Sequence, residues 1–172
     1  YENTTRLSNG LKFIYGAGLE MAQYDNRTFQ KLFLNGAPLE FNYSSDFSLF
    51  RYSIFTQISK PVLDNRLMLS FGLRADGNDY SKNMRNPFNQ LSPRFSLSYN
   101  LTEKLFWNFN TGRFFQPPAY TTLGYRDNNG VLVNKQNNLK YLSADHFVSG
   151  FEYRPDENAR ITLEGFYKNY RY

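Results

Sequence analysis

The chain has 172 residues, no cysteine, one histidine, 17 Phe and 14 Tyr, and a net charge of +5 at pH 7. That length suits one domain with a sizeable core, and the aromatic content supplies more burial than a disordered chain carries. Absence of cysteine excludes disulfide scaffolds, thiol catalysis and cysteine-based zinc sites, and no apolar run approaches the ~20 residues of a membrane-spanning helix. The basic balance favours polyanionic surroundings such as membrane phosphates. The charges are scattered rather than clustered, which points away from nucleic acid as a partner. The opening YENTTRLSNG has no charged-then-apolar leader layout, so the chain reads as a mature product or as an internal piece of a longer polypeptide.

The dominant pattern is period two, the signature of strands with one apolar face. In chain order, Leu11, Phe13, Tyr15, Ala17, Leu19 and Met21 share a face, and Phe50, Tyr52, Ile54, Thr56 and Ile58 share the next. Leu67, Leu69, Phe71, Leu73 and Ala75 alternate with Met68, Ser70, Gly72, Arg74 and Asp76, while Phe95, Leu97, Tyr99 and Leu101 alternate with Arg94, Ser96, Ser98 and Asn100. Leu105, Trp107 and Phe109 form a fifth apolar face, Phe147, Phe151 and Tyr153 a sixth, and Ile161, Leu163 and Tyr167 a seventh. No helical periodicity stands out. The connections at 60–65, 102–104 and 155–159 are short, and those at 25–46, 77–91 and 116–143 are long and rich in Asn, Gly and Pro, as in NGAP, RDNNG and NKQNN.

Short and long connections alternate strictly, so an antiparallel meander would carry all tight turns at one end and all long loops at the other. Strands of about 10 to 13 residues exceed the mean of about 5 to 6 in soluble sheets. Together with aromatic-rich apolar faces, this is the layout of an outer-membrane barrel. The fold class expected is therefore all-β: an antiparallel up-and-down meander of about seven long strands, part of a larger transmembrane β-barrel. A soluble lipocalin-like barrel produces the same alternation with its apolar face turned inward, and period two does not separate the two.

Three segments carry a family resemblance. LSPRFSLSYNLTEKLFWNFNTGRFFQPPAYTTLGY (91–125), YLSADHFVSGFEYRPDENARITLEGFYKNY (141–170) and FRYSIFTQISKPVLDNRLMLSFGLRADGNDYS (50–81) resemble the barrel of TonB-dependent outer-membrane receptors. The resemblance covers nearly the whole chain from Leu11. It is most specific in the SPR strand start and in the GR-aromatic-aromatic-Q-P strand end with the long loop after it. It implies a barrel of about 22 strands around an N-terminal plug, residence in the cell outer membrane, and nutrient import driven through TonB acting on that plug. The implied partners are outer-membrane lipid and lipopolysaccharide, the plug and remaining strands of the same chain, TonB through the plug, and a surface lipoprotein. Nothing in the chain matches a plug, so residues 1–172 are expected to be an interior wall segment. The alternative is a stand-alone barrel of eight strands, adhesive or structural, with residues 1–6 supplying the eighth.

No enzyme and no cofactor is expected. His146 follows Asp145 directly, and adjacent strand residues point to opposite faces, which disfavours a catalytic couple. Asp76, Asn78 and Asp79, and Asp127, Asn128 and Asn129, offer oxygen ligands near turns but do not form the twelve-residue calcium loop, so no metal site is assigned. The loop from Phe115 to Ser143 is the candidate for ligand contact, through Gln116, Tyr120, Tyr125 and Arg126. The competing reading has Tyr120 and Tyr125 packing that loop onto the rim. Arg74, Arg94, Glu20 and Glu164 face inward, either along a substrate path or in ion pairs with one another or with the plug.

Overall fold

Alternating side chains on a pleated backbone force one face of each strand to be apolar and the other polar, and neighbouring strands must match faces in register. The computed structural model, which describes residues 1–34, 37–127 and 129–171, shows this arrangement. Asn35 and Gly36 of the NGAP turn, Asn128 and Tyr172 lie outside the described residues. Eight strands follow in chain order: β1 (Glu2–Arg6), β2 (Lys12–Leu34), β3 (Ala37–Val62), β4 (Leu67–Asn78), β5 (Leu91–Asn100), β6 (Leu105–Gln116), β7 (Leu142–Asp156) and β8 (Ala159–Arg171). They form one antiparallel sheet in the order β1 to β8, so β1 and β8 are its two edges.

Seven of the eight are the long strands expected, and the eighth, Glu2–Arg6, five residues long and too polar to show a period, pairs with Lys12–Gly16. Two expectations need correction. The long connection expected at 25–46 is itself strand, since β2 and β3 stay paired from Lys12↔Ser59 to Leu34↔Ala37. The described side chains of residues 27–33 are exposed whichever way they point, so pairing continues there without a hydrophobic period to announce it. Finally, the two remaining long connections hold single-turn helices, α1 (Lys82–Arg85), α2 (Tyr120–Leu123) and α3 (Val133–Gln136), and a 3-10 turn at Pro87–Gln90. Four residues are too few for a helical period to be seen.

Tight turns join β1 to β2, β3 to β4, β5 to β6 and β7 to β8 at one end, and the long connections sit at the other. β4 stops beside Arg51, where Arg51↔Asn78 ends the pairing, so residues 21–34 and 37–50 project beyond the wall as a ribbon. At ~3.4 Å per residue the ribbon is roughly 45 Å long.

The apolar face is open to its surroundings. Leu19 is 76 % exposed and Leu163 75 %, and Ile54, Phe71, Phe147 and Phe151 are exposed on the same side. Toward the turns this face carries Tyr99, Trp107, Phe151 and Tyr153 as an aromatic girdle. Toward the loops it becomes charged, where Asp145 is held between Arg113 (2.7 Å) and Arg171 (2.8 Å). The opposite face carries Ser, Asn, Gly and charged residues and opens into cavities. Gly77 shows how tightly the loop-side rim is fitted: the Tyr52 ring lies where a Cβ would stand, and its hydroxyl donates to the Arg85 carbonyl.

A band of this kind tolerates charge on one face only. Phe71→Arg, mid-strand on the apolar face, should cost about 2–4 kcal/mol of barrel stability, whereas Ser98→Arg on the polar face should leave it nearly unchanged. The loss of heat-modifiable mobility of the full-length protein on SDS gels measures both.

Candidate functional site

The cluster of buried apolar side chains lies beneath the outer connections rather than within the wall. Leu49, on the polar face of β3, packs with Tyr80, Met84, Leu123 and Tyr141, and Ala22, Phe47, Phe115, Tyr120 and Leu139 close around them. This core fastens segments 79–90 and 117–141 to the base of the ribbon. Several polar groups caught inside it are paired, as burial favours, whereas Ser45 Oγ and Gln90 Oε1 are buried without a hydrogen-bond partner among the described residues. The Tyr80 hydroxyl donates to the Leu123 carbonyl at 2.5 Å, the Asn78 amide to the Tyr141 hydroxyl at 2.8 Å, and Ser81 Oγ to the Leu139 carbonyl at 2.7 Å. Asn83 donates through its backbone N–H to Asn138 Oδ1 (2.9 Å) and through its side chain to the Asn138 carbonyl (3.0 Å). Burial raises the Tyr141 hydroxyl above the ordinary tyrosine pKa, and the Asn78 hydrogen bond works in the opposite direction.

The four sequence candidates for ligand contact fall in different places. Gln116 is exposed at the loop end of β6, opposite Leu142. Tyr120 packs its ring on Tyr24 (5.8 Å) and Phe47 (6.2 Å). Tyr125 is 53 % exposed. Arg126 donates to the Gly130 carbonyl and, 80 residues away in sequence, to the Asp46 carbonyl, both at 2.6 Å. Arg126 thus clamps the loop to the ribbon. The structure brings Tyr120 and Arg126 together against the ribbon and leaves Tyr125 free of that packing.

The oxygen-rich turns are occupied by the backbone. Asp127 Oδ1 accepts from the N–H groups of Asn129 (3.0 Å) and Val131 (2.9 Å), and Asp79 Oδ1 accepts from Phe50 N–H at 2.9 Å. Asp76 is engaged by Arg74. No group of three metal-ligating side chains occurs among the described residues.

Below this cap the polar wall is layered. Near the rim Glu20 pairs with Arg51 (3.1 Å) and Arg74 with Asp76 (2.7 Å), so these two inward candidates are paired with residues outside the set of four. Lower on the wall come hydroxyls and amides, with Ser96 beside Asn110 and Ser98 beside Asn108. Toward the turns Glu152, only 4 % exposed, is held by Arg154 and by Arg160 at 2.6 Å. Glu164 makes no ion pair among the described residues. His146 lies on this face against the Phe114 ring (4.6 Å), while Asp145 lies on the other with Arg113, which separates the two as strand alternation requires. Sequence reading missed the Asn78–Tyr141 link and the Arg126 clamp, since each joins residues 60 or more positions apart and neither alters local pattern.

An apolar, girdled outer face, a polar cavity-bearing inner face, and turns and loops segregated to opposite ends define the wall of a transmembrane β-barrel. Residues 1–171 match the family described as TonB dependent receptor-like, beta-barrel, and the chain belongs to that family, which is one of receptors rather than enzymes. The match reaches ten residues further toward the N-terminus than the sequence resemblance did, taking in β1. No curated protein matches the chain. Among solved structures it is similar to a point mutant of the ferric enterobactin receptor PfeA of Pseudomonas aeruginosa. That likeness has 21 % identity and a TM-score of 0.69, covering 99 % of this chain and 26 % of that one. It is also similar to the copper transporter OprC, with 18 % identity and a TM-score of 0.61, covering 95 % of this chain and 28 % of that one. The chain thus spans little more than a quarter of the solved structures it matches, and at these identities the likeness speaks to the fold.

The cap should come loose before the wall does. Leu123→Ala should weaken the packing of 117–141 by roughly 2–5 kcal/mol, seen as new cleavage in that segment by limited proteolysis while heat-modifiable mobility persists. Tyr141 adds a pH dependence. Its raised pKa means that the packed cap keeps a proton which the loosened cap releases near pH 10. Cap protection should therefore be complete below about pH 10 and fall as pH rises beyond it. Tyr141→Phe should flatten that decline.

Proposed function

We propose that this chain is a wall segment of an outer-membrane receptor that imports a scarce nutrient, with energy from TonB acting on a plug inside the barrel. The observation carrying the reading is the open sheet itself. Eight strands pair only with their sequence neighbours, leaving β1 and β8 as separate edges on a wall that is apolar outside and polar inside. Exposed edges and an apolar band of this size require further strands and lipid around them. Closing on itself as an eight-stranded barrel would ask five-residue β1 to cover thirteen-residue β8.

In this reading the remaining strands and the plug belong to the same polypeptide, and the protein resides in the outer membrane. The Arg113–Asp145–Arg171 cluster meets the phosphate-bearing headgroups of lipid and lipopolysaccharide just above the apolar band. Loop 117–141 meets the nutrient from outside. Tyr125 offers it an exposed ring, and Gln116 offers an amide at the rim. Tyr120 and Arg126 hold the loop in place, and a surface lipoprotein is a further partner for the projecting ribbon. The segment performs no bond chemistry.

The test is uptake by cells that express the full-length protein as their sole receptor of this class. Radiolabelled ferric chelates, cobalamin and oligosaccharides are supplied in turn. Accumulation of at least one of them should depend on both the receptor and TonB. Receptor-dependent uptake that persists without TonB, or a native gene product no heavier than these 172 residues, would overturn the reading. Tyr125→Ala should lower affinity for the accumulated nutrient several-fold without altering the amount of receptor in the membrane.

A further inference from the structure

One transverse row of the polar wall differs from those above and below it. Across the sheet Gln57 stands beside Gly72, Gly72 beside Arg94, Arg94 beside Gly112, Gly112 beside His146, and His146 beside Lys168. Residues directly opposite one another on paired strands point to the same face. Arg94, His146 and Lys168 therefore form one line on the inner wall, with a glycine on either side of Arg94. A Cβ at Gly112 would stand 3.1 Å from Arg94 Cγ and 3.0 Å from the Pro93 carbonyl. Its absence lets the arginine stem lie across the neighbouring strand, where the guanidinium carbon sits 4.6 Å from the Phe114 ring centre. His146 packs against that same ring, and Lys168 Nζ lies 5.3 Å from the Phe166 ring.

The charges of this row are not compensated as their neighbours are. Arg51 and Arg74, nearer the rim, each hold a carboxylate, whereas Arg94 and Lys168 form no ion pair among the described residues. Arg94 is also the residue shared by two cavities. One, of about 250 Å³, is lined by Gln57, Ser96, Asn110, Phe114 and His146 and by no carboxylate. The other, of about 240 Å³, lies against Pro117 and Tyr141 of the loop cap, and its carboxylates, Glu20 and Asp76, are the ones already engaged. The row thus stands directly beneath the loops, where a solute leaving them would meet the wall.

We propose that Arg94, His146 and Lys168 form an anion-binding station on the inner wall, and that the solute it takes is a small polyanion. This rests on the import reading and adds the charge class of the imported substrate. A guanidinium presents paired N–H donors to planar anionic groups such as carboxylates, phenolates and sulfonates. Stacking on Phe114 orients Arg94 while leaving its charge available. Lys168, on the strand beyond His146 and roughly 14 Å from Arg94 by strand spacing, supplies a second charge further along the row, and Ser96 and Asn110, which line the cavity with Arg94, supply hydrogen bonds there.

The experiment uses the purified full-length receptor in detergent at low salt, titrated into pyranine, a planar trisulfonated pyrene, with fluorescence anisotropy as readout. Saturable binding is expected. Arg94→Gln should weaken it about tenfold and Lys168→Gln several-fold. Gly112→Ala keeps every charge but presses on the Arg94 stem, and it should also weaken binding. Lys104→Gln, at the far turn, should change nothing. Heat-modifiable mobility confirms that each variant is folded. Absence of saturable binding, or equal affinity in wild type and Arg94→Gln, overturns the proposal. So does binding that appears only after the plug is deleted, which would assign the row to acidic groups of the plug. TonB-dependent uptake of a neutral nutrient, indifferent to Arg94→Gln, would leave the import reading intact and remove this one. Pyranine binding that depends on Arg94 without any TonB-dependent uptake would do the reverse.

Discussion

Backbone hydrogen bonding in a medium without water is the constraint on which the rest of this structure depends. A peptide group facing lipid has no partner except the next strand, so each of the inner strands must be paired on both sides across the apolar band. The ladders from β1 to β8, with a register shift between Tyr153 and Asp156 near the turn joining β7 to β8, follow from that requirement, and so does the alternation of side chains, because a strand paired on both sides has only two faces to offer. Turn length, face composition and the placing of aromatic girdles are then consequences of where water begins. Short turns suffice where nothing but a reversal is needed. Long segments accumulate where backbone can satisfy itself with solvent or with a folded cap.

This explains why some features were legible in the sequence and others were not. The wall was readable because lipid on one side and a wet interior on the other impose period two on every residue that crosses. Leu67 to Asp76 and Arg94 to Leu101 show it nearly without exception. The ribbon reads as loop because the described side chains of residues 27–33 are exposed whichever way they point, and pairing persists there without an apolar stripe. Glu2–Arg6 is too short and polar to show a period, and enters the sequence reading only as the eighth strand of the alternative barrel. The single-turn helices at Lys82–Arg85, Tyr120–Leu123 and Val133–Gln136 are held by tertiary packing, and four residues carry no period.

The candidate site divides along a similar line. That Tyr120, Tyr125 and Arg126 belong to an outer loop could be read from composition, but that Gln116 closes β6, and that the others separate into fastening and exposed residues, could not. Arg126 reaches Asp46, and Asn78 reaches Tyr141, through contacts that no local spacing encodes. The inward direction of Arg74 and Arg94 was visible from parity alone. That Arg74 is neutralised by Asp76 two residues along, while Arg94 lies between two glycines in a row with His146 and Lys168, emerges only when the register of five strands is known.

The Arg126 clamp has a consequence for how the outer surface behaves. Through it, and through the Leu49–Leu123 core, the loop, the ribbon and the strand ends beneath them are one fastened body rather than separate fronds. A segment tied down in this way loses its conformational freedom when the protein folds, not when something lands on it. An arriving molecule therefore meets a surface whose shape is already set. Under the import reading proposed above, selectivity rests on fit to that shape, and changes in the ribbon base at Asp46 or Phe47 reach the exposed Tyr125 through the same fastenings.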